Sequence, residues 1–244
     1  MGEDNLIIQM ENVFFSYPYS EAPVLDRLNF KLKKGDKLGL IGHNGSGKTT
    51  FMHLIMGLLM PSSGTIRIYG KPVKTEKDFR IVREKIGLLF QHADDQLFSP
   101  TVLEDVAFGP LNLGKTPDQA REISIQTLEK LNLQGFKNRI THKLSGGEKK
   151  LVSLATVLVM QPEVLLLDEP TTGLDEATKE RIIRILNSLD ISYIIVSHEY
   201  DFLARTTNQI SNMEKGQIFH NGNLTLHKHY HRHKMGKVPH KHEE

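Results

Sequence analysis

Apolar and polar positions alternate from Ile7 to Phe15 and again from Asn29 to Leu32, the period-two pattern of half-buried strands, and the Gly35-Asp36 turn follows them. Antiparallel strands are therefore expected first. The pattern then changes to short apolar runs: Lys37-Leu-Gly-Leu-Ile41, Ile86 to Phe90, Val164 to Leu167 and Tyr193 to Val196. Continuous runs of this length suit strands covered on both faces. Between the last two, Glu176 to Leu189 repeats as an amphipathic helix, giving the strand-helix-strand rhythm of a parallel sheet. The segment after Lys48 is expected to be helical to about Leu59, where Met60-Pro61-Ser-Ser-Gly64 stops it, and Thr65 to Tyr69 returns as a strand turned at Gly70. Thr116-Pro-Asp-Gln119 predicts a helix start with a capping box and proline at the first helical position; Ala120, Ile123, Thr127, Leu128 and Leu131 form its apolar face. No internal repeat is visible. The expected fold is α/β, a mainly parallel sheet core with an antiparallel β layer.

Directly behind the Lys37–Ile41 run stand Gly42, His43, Asn44, Gly45, Ser46, Gly47, Lys48 and Thr49, a complete G-x-x-x-x-G-K-[ST] phosphate loop, with Thr50 next to it. The glycines let successive N–H groups turn towards phosphate, Lys48 neutralises the terminal oxygens, and the Thr49 hydroxyl is available to Mg2+. A helix beginning near Gly47 would add its N-terminal dipole. A glycine turn beside a surface lysine is the ordinary alternative, but strand, loop and helix follow in the order that the motif demands. The chain is therefore expected to bind a nucleoside triphosphate.

Four apolar runs end in polar residues that a core would not choose: Lys48, Gln91, the pair Asp168-Glu169, and His198. In an open parallel sheet the carboxyl ends of the strands share one edge, so these residues should meet in one crevice. Asp168 has the position of a Mg2+-holding carboxylate opposite a phosphate loop, and Glu169 is free to orient or deprotonate water. Asp175, at the end of Pro170-Thr-Thr-Gly-Leu-Asp175, serves the ligand, caps the next helix, or both. In Leu144-Ser-Gly-Gly-Glu148, Ser145 and Glu148 have capping-box spacing, and the helix behind them is apolar nearly all round. A cap does not explain Gly146 and Gly147, since glycine in a helix costs roughly 1 kcal/mol relative to alanine. Bare N–H groups at a helix start suit phosphate, and this second turn is expected to serve a nucleotide held by another copy.

Composition narrows the setting. Hydrophobic content of 39% and charged content of 25% are ordinary for a globular chain, and a net charge of +2 shows no nucleic-acid footprint. The absence of cysteine excludes disulfides, thiolate zinc sites and cysteine nucleophiles. Leu151 to Met160, the longest dense apolar stretch, is too short for a bilayer, and Met1-Gly-Glu-Asp4 lacks the layout of a secretion signal, so a cytosolic protein is expected.

In order and spacing, Gly42 to Thr49, Gln91, Leu144 to Glu148, Val164 to Glu169, Asp175 and His198 resemble the ATP-binding subunits of ABC transporters, over roughly Leu6 to Gly222. The resemblance implies the P-loop NTPase fold of the ABC ATPases, ATP and Mg2+ as ligands, and an ATP hydrolase coupled to transmembrane transport. It makes Lys48 and Thr49 the Walker A residues and Asp168 and Glu169 the Walker B pair. Gln91 becomes the coupling-loop glutamine, beside Mg2+ with Thr49 and Asp168, and His198 the switch histidine on the γ-phosphate. Ser145 and Gly147, with Gly146 between them, would meet the γ-phosphate of a partner subunit, and Tyr17 in Phe15-Ser-Tyr17-Pro18 would stack on adenine. Implied partners are a second ATP-binding subunit in a homo- or heterodimer, a transmembrane coupling protein and a substrate-binding membrane subunit, with no nucleic acid. The implied place is peripheral, on the cytoplasmic face of the membrane.

A finer resemblance lies in Gln91-His-Ala-Asp-Asp-Gln-Leu-Phe-Ser-Pro-Thr-Val102 and Asp105-Val-Ala-Phe-Gly-Pro110, which look like the ATPase of energy-coupling-factor importers for vitamins and for cobalt and nickel. In that family the stretch matching Gln96 to Val106 lies against the membrane partner's coupling helices. The expected organisation is an ATPase domain over 1–222, with its helical subdomain at about 93–160, and a histidine-rich tail over 223–244. In an extended tail His227, His229, His231 and His233 point to one side, and imidazole suits Ni2+ and Co2+. Lys228, Arg232 and Lys234 oppose cation binding, leaving anionic lipid or plain solvation as alternatives. The function classes are thus an importer motor for cobalt, nickel or a vitamin, a soluble ABC-type ATPase of DNA repair or translation, and a metal-storage protein built on the tail. The second lacks room for a coiled-coil insertion between Lys48 and Ser145, and the third leaves the ATPase motifs unexplained.

Overall fold

Strands β1 (Leu6–Phe15) and β2 (Leu25–Lys33) pair antiparallel and bury Ile8, Met10, Val13, Leu28 and Leu32 on their inner face. The computed structural model describes residues 5–20 and 22–220; the histidine tail expected over 223–244 lies outside them. After β2 the chain leaves this layer along β3 (Lys37–Ile41) and enters helix α1 (Lys48–Met56). It then returns as β4 (Ser63–Ile68) beside β1, with the two-residue β5 (Lys71–Pro72) at the edge. The result is a four-stranded antiparallel sheet in the order β2-β1-β4-β5.

Helix α2 (Glu76–Lys85) leads into β6 (Ile86–Leu89), and a helical group follows: α3 (Val102–Asn112), α4 (Pro117–Lys130) and α5 (Gly146–Leu158). The chain closes with β7 (Val164–Asp168), α6 (Glu176–Ser188), β8 (Ser192–Val196), α7 (Tyr200–Thr206), β9 (Gln209–Glu214) and β10 (Gln217–His220). The second sheet runs β10-β9-β3-β8-β7-β6, parallel from β9 to β6, with β10 antiparallel at the edge. The α/β fold with a mainly parallel core and an antiparallel layer is the one that the hydrophobic pattern predicts.

The continuous apolar runs are explained by the two layers that cover this sheet. Side chains alternate across a strand, so Val164 and Leu166 of β7 join the core beneath the antiparallel sheet and α1. Leu165 and Leu167 join the opposite core, under α5 and α6. In β8, Ile194 and Val196 divide from Tyr193 and Ile195 in the same way. At about 25 cal/mol per Å2 of apolar surface, such two-sided burial dominates the stability of the fold and fixes β3 in its interior.

Boundaries differ from expectation at β2, which begins at Leu25 and not Asn29, at β4, which runs Ser63–Ile68 and not Thr65 to Tyr69, and at α1. Helix α1 ends at Met56, not Leu59, because Gly57 takes a left-handed φ of 66° and a Cβ there would meet the Phe79 ring at 2.2 Å. Glycine is thus required twice over, for the turn and for the approach of α2. Helices α2, α3 and α7 and strands β9 and β10 were not legible as periodic segments. Helix α2 buries only Phe79 and Val82, and α3 contains Gly109 and Pro110, which read as breaks.

Candidate active site

The carboxyl ends of β3, β6, β7 and β8 share one edge, where a cleft of about 810 Å3 opens. Its lining includes Tyr17, Asn44, Gly45, Gly47, Lys48, Thr49, Thr50, Gln91, Asp168, Glu169 and His198. The four polar strand ends of the sequence therefore meet. Gly42, His43 and Ser46 belong to the loop without lining the cleft, and Ser145, Gly146, Gly147 and Asp175 stand apart from it.

The loop has the geometry of an anion cradle. Gly45 and Gly47 have φ of 77° and 106°, a region that side chains avoid, and at Gly47 a Cβ would lie 2.9 Å from Leu25 Cδ2. Gly47 is also the N-cap of α1 and has no side chain to satisfy the first N–H groups of the helix, which leaves them for a ligand. Lys48 Nζ is buried and donates to the carbonyls of Gly42 (2.7 Å) and His43 (3.0 Å). Burial pulls its pKa below that of an ordinary lysine, against the opposing pull of Glu169 and Asp168. Tyr17 packs edge-on against Phe15 at 5.0 Å, and its hydroxyl pairs with Thr50 Oγ1 at 3.1 Å, leaving the residue 42% exposed at the rim.

Opposite the loop, Thr49 Oγ1 donates to Asp168 Oδ2 at 2.8 Å. A hydroxyl, a carboxylate and the nearby Gln91 make an all-oxygen donor set, which fits Mg2+ and does not favour softer metals. Glu169 breaks from the strand with φ of 45°, so that the two adjacent carboxylates diverge. Its Oε2 accepts a hydrogen bond from Thr172 Oγ1 at 2.9 Å. Its Oε1 is buried without a hydrogen-bond donor; His198 Nε2 lies 3.3 Å away without the alignment of a hydrogen bond. An acceptor held in this manner is placed to receive a proton from a water in the cleft.

Away from the cleft, Ser145 and Glu148 form the expected capping box: Ser145 Oγ accepts from Glu148 N at 3.3 Å, and Ser145 N donates to Glu148 Oε2 at 2.8 Å. Arg139 grips Glu148 with two hydrogen bonds of 2.6 and 3.1 Å, and that pair first, then Ser145, holds the Glu148 carboxyl below its ordinary pKa. Gly147 has a packing reason, since a Cβ there would meet Thr178 Oγ1 at 3.1 Å; Gly146 faces open space. Asp175 caps α6, accepting from Thr178 N at 2.9 Å and Thr178 Oγ1 at 2.8 Å.

Three residues of the site went unread in the sequence. Thr172 orients Glu169, and Glu199 lines the cleft while accepting from Thr171 Oγ1 at 2.9 Å and from Lys179. Neither carries a periodic signal. Lys150 does: it is a charged residue inside a helix read as apolar nearly all round. It is 4% exposed, it donates to Phe90 O and Gln91 O, and burial brings its pKa down to about 8 against the pull of Asp168 and Glu169.

The ABC transporter family model matches residues 25–172. A Nitratidesulfovibrio vulgaris protein provisionally assigned as an ABC transporter ATP-binding protein is 53% identical over 98% of this chain and 87% of its own length. The energy-coupling factor transporter ATP-binding protein EcfA of Methanothermobacter thermautotrophicus is 44% identical, with 88% of this chain and 70% of that protein covered. Among solved structures, cbiO1 of Clostridium perfringens, part of the ABC transporter complex cbiONQ, superposes with a TM-score of 0.76 at 35% identity, over 88% of this chain and 87% of that one. The ATP-binding cassette MJ0796, dimeric in a post-hydrolysis state with ADP and Pi, gives a TM-score of 0.79 at 27% identity, over 87% of this chain and 96% of that one.

Proposed function

The chain belongs to the family of ABC transporter ATP-binding domains, and on that footing we propose that it is the ATP-hydrolysing motor subunit of an energy-coupling-factor importer. The observation that carries the hydrolytic reading is the meeting of Lys48, Gln91, Asp168, Glu169 and His198 in one cleft. Lys48 and the N–H groups behind Gly42 to Gly47 hold the phosphates. Thr49, Asp168 and Gln91 are the oxygen donors that would hold Mg2+, which when bound neutralises phosphate charge. Glu169, fixed by Thr172, would take the proton of the attacking water, and His198, 3.3 Å from that carboxylate, would meet the γ-phosphate. Tyr17 offers its exposed ring to the adenine.

None of Ser145, Gly146 and Gly147 lines the cleft, and their turn lies elsewhere on the surface. In our reading two ATP-binding subunits pair head to tail, so that this turn completes the partner's site. The pair is a homodimer or a heterodimer, and the dimeric form of the similar MJ0796 cassette supports pairing as such. The membrane partner docks at a groove of about 390 Å3 beside α3, where Phe98, 66% exposed, stacks edge-on with Phe108 at 4.7 Å. Among the described residues no helix is long and apolar enough to cross a membrane.

The cargo in this reading is cobalt or nickel, supported by the row His227, His229, His231 and His233 and by the likeness to cbiO1. The test is co-expression with a membrane partner. ATPase activity should rise on assembly, Phe98→Asp should abolish that rise while sparing the activity of the isolated subunit, and the assembled complex should accumulate Ni2+ or Co2+. Accumulation of a vitamin without either metal would defeat the cargo and leave the motor role standing.

A further inference from the structure

Helix α5 is packed on nearly every side, yet Lys150 occupies one of its buried positions. Taking an ammonium out of water is costly unless its hydrogen bonds are replaced, and a leucine or methionine would fill the same space without that penalty. What an apolar side chain cannot do is hold carbonyls. Lys150 Nζ donates to Gln91 O at 2.7 Å and to Phe90 O at 3.1 Å, the two carbonyls where the chain leaves β6 for the cleft. No carboxylate lies within salt-bridge distance of it among the described residues, so these carbonyls are its reason to be there.

The same loop is tied to α5 at two further points. Lys149 Nζ meets Asp94 Oδ1 at 2.6 Å. Gln96 receives Phe90 N at 3.2 Å and donates to Ser153 O at 2.9 Å and Thr156 Oγ1 at 2.8 Å. The loop from Phe90 to Gln96 is thus bonded to α5 from Lys149 to Thr156, and α5 begins with the Ser145 to Gly147 turn. Of these ties, only the one through Lys150 acts on Gln91 itself.

We infer that Lys150 is a positioning residue: by fixing the Phe90 and Gln91 carbonyls it keeps Gln91 in the cleft and makes its place depend on α5. The inference rests on the hydrolytic reading of the cleft. Because the first turn of α5, just before Lys150, is the one offered to a partner's nucleotide, Lys150 ties Gln91 to that turn through one rigid element, so that a shift of α5 moves Gln91 with it.

The experiment is a double-mutant cycle in the full chain, joined to amide hydrogen exchange of segment 90–96 without nucleotide. Lys150→Met should lower kcat about tenfold with KM for ATP within about twofold, while in a Gln91→Ala background the same change should alter kcat less than about twofold. Lys150→Arg, which keeps the donors, should stay within about threefold of the unaltered protein. Exchange at 90–96 should quicken in Lys150→Met and stay unchanged in the phosphate loop. Should the methionine variant fail to fold, Lys150→Gln, shorter but still a donor, should show the same two effects in weaker form. Equal losses of kcat in both backgrounds, or unaltered exchange at 90–96, would overturn the inference. If the unaltered protein hydrolyses no ATP, the reading of the cleft falls; the exchange result alone then decides whether Lys150 holds the loop.

Discussion

Glu169 holds a left-handed backbone that costs a non-glycine residue about 1–2 kcal/mol, and it is anchored there through its N–H to Val196 O at 2.9 Å and through Thr172. Strain kept at the end of a buried strand is intelligible if it aims a carboxylate at a reacting water. Glu169→Gln preserves shape and hydrogen bonding but removes the base. We expect ATP affinity to stay within about threefold while kcat falls by about 10²–10³, measured by nucleotide titration and phosphate release. Turnover near that of the unaltered protein would remove Glu169 from this role. Lys48→Ala should instead weaken nucleotide binding itself, since the phosphates lose a buried cation. At this scale the sequence was informative wherever a polar residue interrupts an apolar run. That is why Lys48, Gln91, Asp168 and His198 could be read and Thr172, one threonine among several loop residues, could not.

Among the elements of the described residues, four helices begin with a capping box: Thr75 with Asp78, Thr101 with Glu104, Thr116 with Gln119, and Ser145 with Glu148. Two were legible because a clear apolar face follows them. The other two open α2 and α3, whose buried faces are narrow or interrupted by Gly109 and Pro110, so the cap stood without a period to confirm it. The end of α1 was misplaced for a different reason: the requirement for Gly57 comes from the Phe79 ring, a contact made only in three dimensions. Helix α5 offers the sharper test of function. Gly146 is helical and faces open space, so Gly146→Ala should raise stability by roughly 0.5–1 kcal/mol, read by thermal melting. If the turn meets phosphate across an interface, the same change should lower ATPase activity. A stabilised protein of unchanged activity would show that the turn meets nothing.

Glu148 sets how this helix start responds to acid. Its folded pKa is depressed, so its contribution is fully present above the unfolded value of about 4.5 and is lost as pH falls through the lower folded one. Arg139→Ala should therefore lower stability at neutral pH, by a small amount because this pair is partly exposed, and the difference from the unaltered protein should vanish as pH falls below about 4.5, read by thermal melting against pH.

For the molecule as a whole, the parallel sheet with its phosphate loop at the carboxyl edge followed from the order of apolar runs, since two-sided burial leaves little freedom in how such strands are covered. The antiparallel edge strand β10 and the groove beside α3 did not follow, because both depend on surfaces that only the folded chain brings together. The central claim is that each catalytic site is shared, with Lys48 from one subunit and Ser145 from the other. It is tested most directly by mixing Ser145→Arg chains with Lys48→Ala chains and measuring ATP hydrolysis. Random pairing makes half the dimers mixed, and each mixed dimer has one whole site, so activity should return to roughly a quarter of that of the unaltered protein. A mixture as inactive as either parent would contradict the account.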